Sequence, residues 1–147
     1  MGRDLGESAT AGQSMGLNLV HLETTSRVEF RDITSLVQRT IKESSIRSGI
    51  CHLFVPHTTA AIMINENDDP SLEIDFAQFL KKLAPQSSTY KHDDGNCDSH
   101  LKASLIGNSK VLIIDDGSLI LGQWQGVYFC EFDGPRYRDL NIKIVPD

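Results

Sequence analysis

Hydrophobic positions along the chain follow two periods, and the switches between them mark out the elements. Leu17, Leu19 and His21 alternate with Asn18, Val20 and Leu22, which is the period of a strand. Arg27 to Ile33 alternates again, with Val28 and Phe30 on one face. The period then lengthens: Ile33, Val37 and Ile41 lie at helical spacing, with Thr34 placed to cap the helix and Gly49 to stop it. Ile50 to Val55 and Thr59 to Ile64 read as apolar strands. A second helix follows, with Asp69 as its cap and Pro70 at the first helical position, where a missing N–H costs nothing. Its apolar stripe is Leu72, Phe76, Phe79, Leu80 and Leu83, and Pro85 ends it.

Gln86 to Cys97 is a polar loop, long for a compact domain, and Ser99 to Ile106 reads as a short helix closed by Gly107. The remainder is strand-rich: Lys110 to Ile114, Leu119 to Leu121, Gln125 to Phe132 and Tyr137 to Val145. Asp116-Gly117 is a hairpin turn and Asp133-Gly134-Pro135 a second turn, while Gly122 and Gly126 suggest bulges or close backbone approach. The core face of the last strand is expected to be Leu140, Ile142 and Ile144. Strands and helices do not alternate regularly, so a doubly wound parallel sheet is disfavoured. The expected class is α+β, a two-sheet β-sandwich flanked by helices, in one domain over residues 17–147. Residues 1–16, rich in Gly, Ser, Ala and Thr, read as a flexible leader.

Charge and composition narrow the function classes. A net charge of -6 repels phosphate backbones, so no nucleic-acid partner is expected. No apolar run reaches the ~18 residues of a membrane span, and the leader lacks the apolar stretch of a signal peptide. Cys51, Cys97 and Cys130 are odd in number and form no C-x-x-C pair, which argues for reduced thiols and a cytoplasmic location.

Three polar clusters carry the candidate chemistry. His21 and His52 sit within strands and read as partly buried structural residues, but His57 ends a strand, and His92 and His100 flank the polar loop. Three neutral imidazoles with a fourth position left to water make a catalytic zinc arrangement, although this spacing is neither H-E-x-x-H nor a finger pattern. An EF-hand calcium ladder is absent from the acidic loop. The second cluster is Asn65-Glu66-Asn67 ahead of Asp69, where the helix start explains Asp69 but not three further hydrogen-bonding side chains. In the third, Trp124 and Gln125 between Gly122 and Gly126 would form either a core aromatic or a flat wall with an amide partner for a planar ligand. Lys102, Ser104 and Arg136 are candidates to meet phosphate, and Glu131 is a candidate partner for an arginine.

The blocks His57-Thr58-Thr59-Ala60-Ala61, Asn65-Glu66-Asn67, Asp69-Pro70, Tyr90, His92, Ser99-His100-Leu101-Lys102-Ala103-Ser104, Trp124-Gln125-Gly126, Glu131 and Gly134-Pro135-Arg136 occur in order. Together they resemble the secondary thiamine-phosphate synthase (YjbQ-like) family. The resemblance implies a homotrimer with sheets packed around a threefold axis and a histidine-rich pocket for a phosphorylated small molecule. It also implies a side activity that joins a pyrimidine pyrophosphate to a thiazole phosphate. On that reading His57, His92 and His100 would hold a divalent metal, zinc or magnesium. Glu66, Asn67 and His100 would do the chemistry, and Lys102, Ser104, Trp124, Gln125 and Arg136 would bind the ligand. A phosphate-ester hydrolase and a non-enzymatic trimeric metal- or metabolite-binding protein are the alternatives. Cys97-Asp98 departs from the small residues common in the family before Ser99-His100.

Overall fold

Alternation in the first segment becomes strand β1 (Leu17–Glu23), with Val20 and Leu22 turned into the core. A computed structural model describes residues 16–147. The expected leader lies outside these residues except Gly16, whose carbonyl accepts the Ile144 N–H and so extends the sheet. The elements that follow are β2 (Glu29–Asp32), α1 (Thr34–Ser44), β3 (Gly49–Phe54), β4 (Ala60–Glu66), α2 (Pro70–Leu83), α3 (Cys97–Ile106), β5 (Ser109–Asp115), β6 (Ser118–Leu119), β7 (Gln125–Glu131) and β8 (Tyr137–Pro146).

The strands form two antiparallel sheets, one in the order β1-β8-β3-β5-β6 and one in the order β2-β7-β4. Leu53 of β3 and Leu140, Ile142 and Ile144 of β8 meet Ile62 of β4, Val127 and Phe129 of β7 and Val37 and Ile41 of α1 in one apolar core. The alternate residues Tyr128 and Cys130 of β7 turn the other way, onto Leu80 of α2 and Ala103 of α3. The small sheet is therefore covered on both faces, and β7 reads as an unbroken apolar run because neither face meets water. The layers are large sheet, core, small sheet, and the α2 and α3 helices.

Several boundaries move from their expected places. Helix α1 ends at Ser44 with Ser45 in the left-handed region, and Gly49 opens β3 instead of closing the helix. The cap of α1 is Ile33, not Thr34: Asp32 accepts both the Thr34 N–H at 2.9 Å and the Thr34 hydroxyl at 2.6 Å, and that hydroxyl accepts the Val127 N–H at 2.9 Å. Helix α3 starts two residues early, at Cys97, and Asn65 and Glu66 belong to β4 rather than to a turn. Asp69 caps α2 as expected, accepting the Ser71 N–H, with Pro70 at its start. Only Leu80 of the α2 stripe is buried, while Phe79 and Leu83 lie more than half exposed. His21 and His52 are exposed rather than part-buried, because the outer face of the large sheet is uncovered in a single chain. His21 bonds Asp139 and His52 bonds Ser109.

Candidate functional site: the cavity between His57 and His100

The loop from Val55 to Thr59 carries His57 out of the large sheet towards the start of β4, and α3 presents His100 and Ser104 across from it. Between them lies a cavity of about 460 Å³ lined by His57, Thr58, His100, Ser104 and Asn108. Residues 100 and 104 sit one turn apart on α3 and so share a face. The Ser104 hydroxyl donates back to the His100 carbonyl at 2.9 Å.

One hydrogen bond defines the chemistry of His57. The Asp139 backbone N–H donates to His57 Nε2 at 2.8 Å. A neutral imidazole has one donor and one acceptor nitrogen, so accepting at Nε2 leaves the proton on Nδ1. Burial and the Arg138 guanidinium also hold the His57 pKa below its ordinary value, against the weaker opposing pull of Asp139 and Glu131. His57 is thus a neutral ring with a fixed Nδ1–H donor. Arg138 is itself held in place by Glu131, with contacts at 2.8 and 2.6 Å, and by Thr59 at 2.7 Å.

His92 meets His100 but not His57. The His92 and His100 ring centroids are 5.0 Å apart and nearly perpendicular, and His92 Nε2 lies 3.5 Å from Asp94 Oδ2. His92 lines a neighbouring groove with Tyr90, Asp93 and Cys97. Among the described residues no group of three or more His, Cys, Asp or Glu side chains is placed to hold a metal ion. His57 would have to give up its Asp139 bond to offer a lone pair through either nitrogen. The expected three-histidine metal centre therefore does not fit one chain as it stands.

The other expected site residues are spread out. Glu66 and Asn67 lie at the far end of β4 from His57, about 20 Å away by the rise of six strand residues. Asn67 packs on Gly126, where a Cβ would come within 2.5 Å of it, and donates to Asp32 at 3.1 Å. Trp124, beside it, is 52% exposed and is neither core nor covered wall. The Gln125 side chain accepts the Gly122 N–H at 2.8 Å and closes that turn. Arg136 holds Asp133 at 3.0 Å on the surface, and it is Arg138 that pairs with Glu131. Lys102 is buried and donates to Asp98 at 3.0 Å, on the opposite side of α3 from the cavity. Of the expected phosphate contacts, only Ser104 faces the His57 cavity.

Sequence reasoning missed the Asp139 amide, the Thr24 hydroxyl on Glu131 at 2.8 Å and the pairing of Arg27 with Asp98. A backbone donor leaves no trace in residue identity. The i,i+4 spacing of Asp98 and Lys102 on α3 was the one readable signal.

An antiparallel two-sheet sandwich with a histidine cavity at the loop before β4 defines the class of this protein. The chain belongs to the UPF0047 protein YjbQ-like family, whose model matches residues 18–147. It is 48% identical to UPF0047 protein MJ1081 of Methanocaldococcus jannaschii over 126 residues, 86% of this chain and 91% of that protein. It is 43% identical to YugU of Bacillus subtilis over 88% of this chain and 98% of that one. A crystal structure of an uncharacterised YjbQ/UPF0047 protein from Clostridium acetobutylicum superposes with a TM-score of 0.84 at 47% identity, covering 86% of this chain and 98% of its own. A hypothetical protein from Aeropyrum pernix K1 gives 0.86 at 33% identity, covering 90% and 100%. These matches carry the α+β architecture of two antiparallel sheets and three helices, and their names carry no reaction. No described helix is long and apolar enough to cross a membrane.

Proposed function

We propose that the His57–His100 cavity binds the phosphate end of a phosphorylated small molecule. We also propose that the chain is an enzyme of that substrate class, with the joining of a pyrimidine pyrophosphate to a thiazole phosphate among its reactions. The observation that carries this reading is the fixed Nδ1–H of a neutral His57 on a cavity shared with His100. Departure of pyrophosphate builds negative charge on oxygen, and preorganised N–H donors stabilise such charge. His57 donates from Nδ1, and His100 is placed to hand a proton to the leaving oxygen. The Thr58 hydroxyl supplies a further donor, and Ser104 adds one by exchanging its bond to the His100 carbonyl for the ligand.

The test is pyrophosphate release by the purified protein supplied with both thiamine precursors. His100→Ala is expected to slow it about 100-fold. Equal rates in the two proteins would remove His100 from the chemistry. Phosphate release from a single phosphate ester, without a second substrate, would instead identify a hydrolase.

A second reading has one observation of its own, the meeting of the His92 and His100 rings. Two rings of one chain would bind a divalent metal, zinc or magnesium, if a neighbouring copy in a homotrimer completed the donor set. Stoichiometric metal that His92→Ala abolishes, with every turnover assay silent, would make the protein a metal-binding trimer rather than an enzyme.

A further inference from the structure

On the side of α3 away from His100 lies a second cavity, of about 290 Å³, between α2, α3 and the segment leading into β2. Its walls divide by chemistry. Val28, Leu80 and Phe132 form an apolar side, and Arg27, Lys81 and Lys102 bring three cations against one carboxylate, Asp98.

The charges do not balance. Asp98 is 1% exposed and accepts from Lys102 at 3.0 Å and from both terminal nitrogens of Arg27, at 3.2 and 3.1 Å. Burial would raise the Asp98 pKa, but the bonds from Arg27 and Lys102 outweigh it and hold the carboxyl below its usual range. It is therefore an anion at neutral pH, and it offsets only one of the two cations that share it; Asp133 also acts on Arg27 from outside the cavity, but Asp133 is itself bonded to Arg136, so the cluster stays positive. The Lys102 side chain is 6% exposed. Its ammonium has three donors, and Asp98 is the acceptor found for it among the described residues. Buried N–H groups and buried excess charge are both costly when left unmatched. Arg27 is about one-third exposed, and only part of its five-donor fork is spent on Asp98 and Ser99. Lys81 adds a third positive charge at the rim.

We propose that this cavity is a second anion site, built for a phosphate monoester with a small apolar body. The oxyanion meets the unspent donors of Lys102 and Arg27 with Lys81 at its edge, and the body lies on Val28, Leu80 and Phe132. Asp98 holds the two cations in place and does not touch the ligand. Because α3 carries Asp98 and Lys102 on one side and His100 and Ser104 on the other, the two cavities share one helix.

Calorimetric titration tests this with inorganic phosphate and with phenyl phosphate as probes. The His57→Ala/His100→Ala protein is the background, so that the first cavity does not contribute. That protein is expected to bind one phosphate per chain, and phenyl phosphate more tightly. Adding Lys81→Ala, a surface change that leaves the Asp98 cluster intact, is expected to weaken binding about tenfold, and adding Arg27→Gln at least as much. The proposal is overturned if the background protein binds no phosphate, or if Lys81→Ala and Arg27→Gln both leave its affinity unchanged. Neither result bears on the His57 cavity, because both of its histidines are absent from the background protein.

Discussion

Glu131 and Arg138 are both almost wholly buried and bonded to each other, and the rest of the His57 corner hangs on them. Removing one partner of such a pair strands a charge in the interior, so Arg138→Met is expected to destabilise the fold by roughly 3–5 kcal/mol in urea titration. Replacing both by apolar residues of similar volume should cost less than that. Burial would raise the Glu131 pKa, but bonds from Arg138, the Asp133 N–H and the Thr24 hydroxyl hold it below the usual carboxylate range. A folded value below the unfolded one, which is about 4.3, means that this stabilisation is complete above that pH. It is lost as acid carries the pH down through the folded value. The urea midpoint should therefore fall below about pH 4, and Glu131→Gln should remove part of that slope. His57 acts in the same direction in a higher window. Its folded pKa is lowered, so its contribution is full above about 6.5 and declines as pH falls from there. His57→Gln should flatten the stability curve between neutral pH and pH 5, and an unchanged curve would contradict the neutral, Asp139-bonded ring.

Among the elements, β3 shows how a residue type can be legible while its purpose is not. Gly49 reads as a helix stop from sequence, yet it begins β3 at φ +154, and a Cβ there would stand 2.1 Å from the Val145 carbonyl oxygen of β8. No side chain can give way, since the obstacle is backbone. Gly49→Ala is expected to cost about 2–4 kcal/mol, read as a lowered urea midpoint with the denaturant slope unchanged. Thr34→Ala tests the neighbouring junction, because it strips the acceptor from the Val127 N–H and should cost about 1–3 kcal/mol in the same measurement. Strand alternation and turn chemistry were readable because they are local: the Leu140, Ile142 and Ile144 face, the Asp116-Gly117 hairpin and the Asp69-Pro70 helix start all stand where the pattern puts them. The stripe of α2 misled, since periodicity shows that a face is apolar and not what covers it. The site was legible in part for the same reason. His57, His100 and Ser104 share a cavity, whereas Lys102 turns away to Asp98 and Glu66 sits a strand's length off. The surroundings of His57 and Asp98 depend on pairings 82 and 71 residues apart, Asp139 with His57 and Arg27 with Asp98, which no local window contains.

For the whole molecule, the large sheet presents the strongest argument for self-association. Ile50 is registered with Ile113 on one side and Val145 on the other, and all three face outward, as do Phe54 and Val111. Adjacent exposed apolar side chains on three neighbouring strands form the kind of patch that soluble monomers rarely leave bare. If a homotrimer buries this face, light scattering should report three times the 16.3 kDa of one chain. Ile113→Lys sets a charge in the middle of the patch without touching the core, and it should shift the mass towards that of one chain. The consequence for function depends on where the two polar clusters lie. His57 and His100 share their cavity within one chain, so phosphate binding there should survive dissociation within about threefold. Glu66, Asn67 and Trp124 stand at the opposite end of β4, and they can join that cavity only from a neighbouring copy. If they take part in turnover, Ile113→Lys should abolish pyrophosphate release while leaving phosphate affinity in place. A monomeric variant that turns over at the rate of the parent would confine the chemistry to the histidine cavity and leave the Glu66 cluster with a structural role.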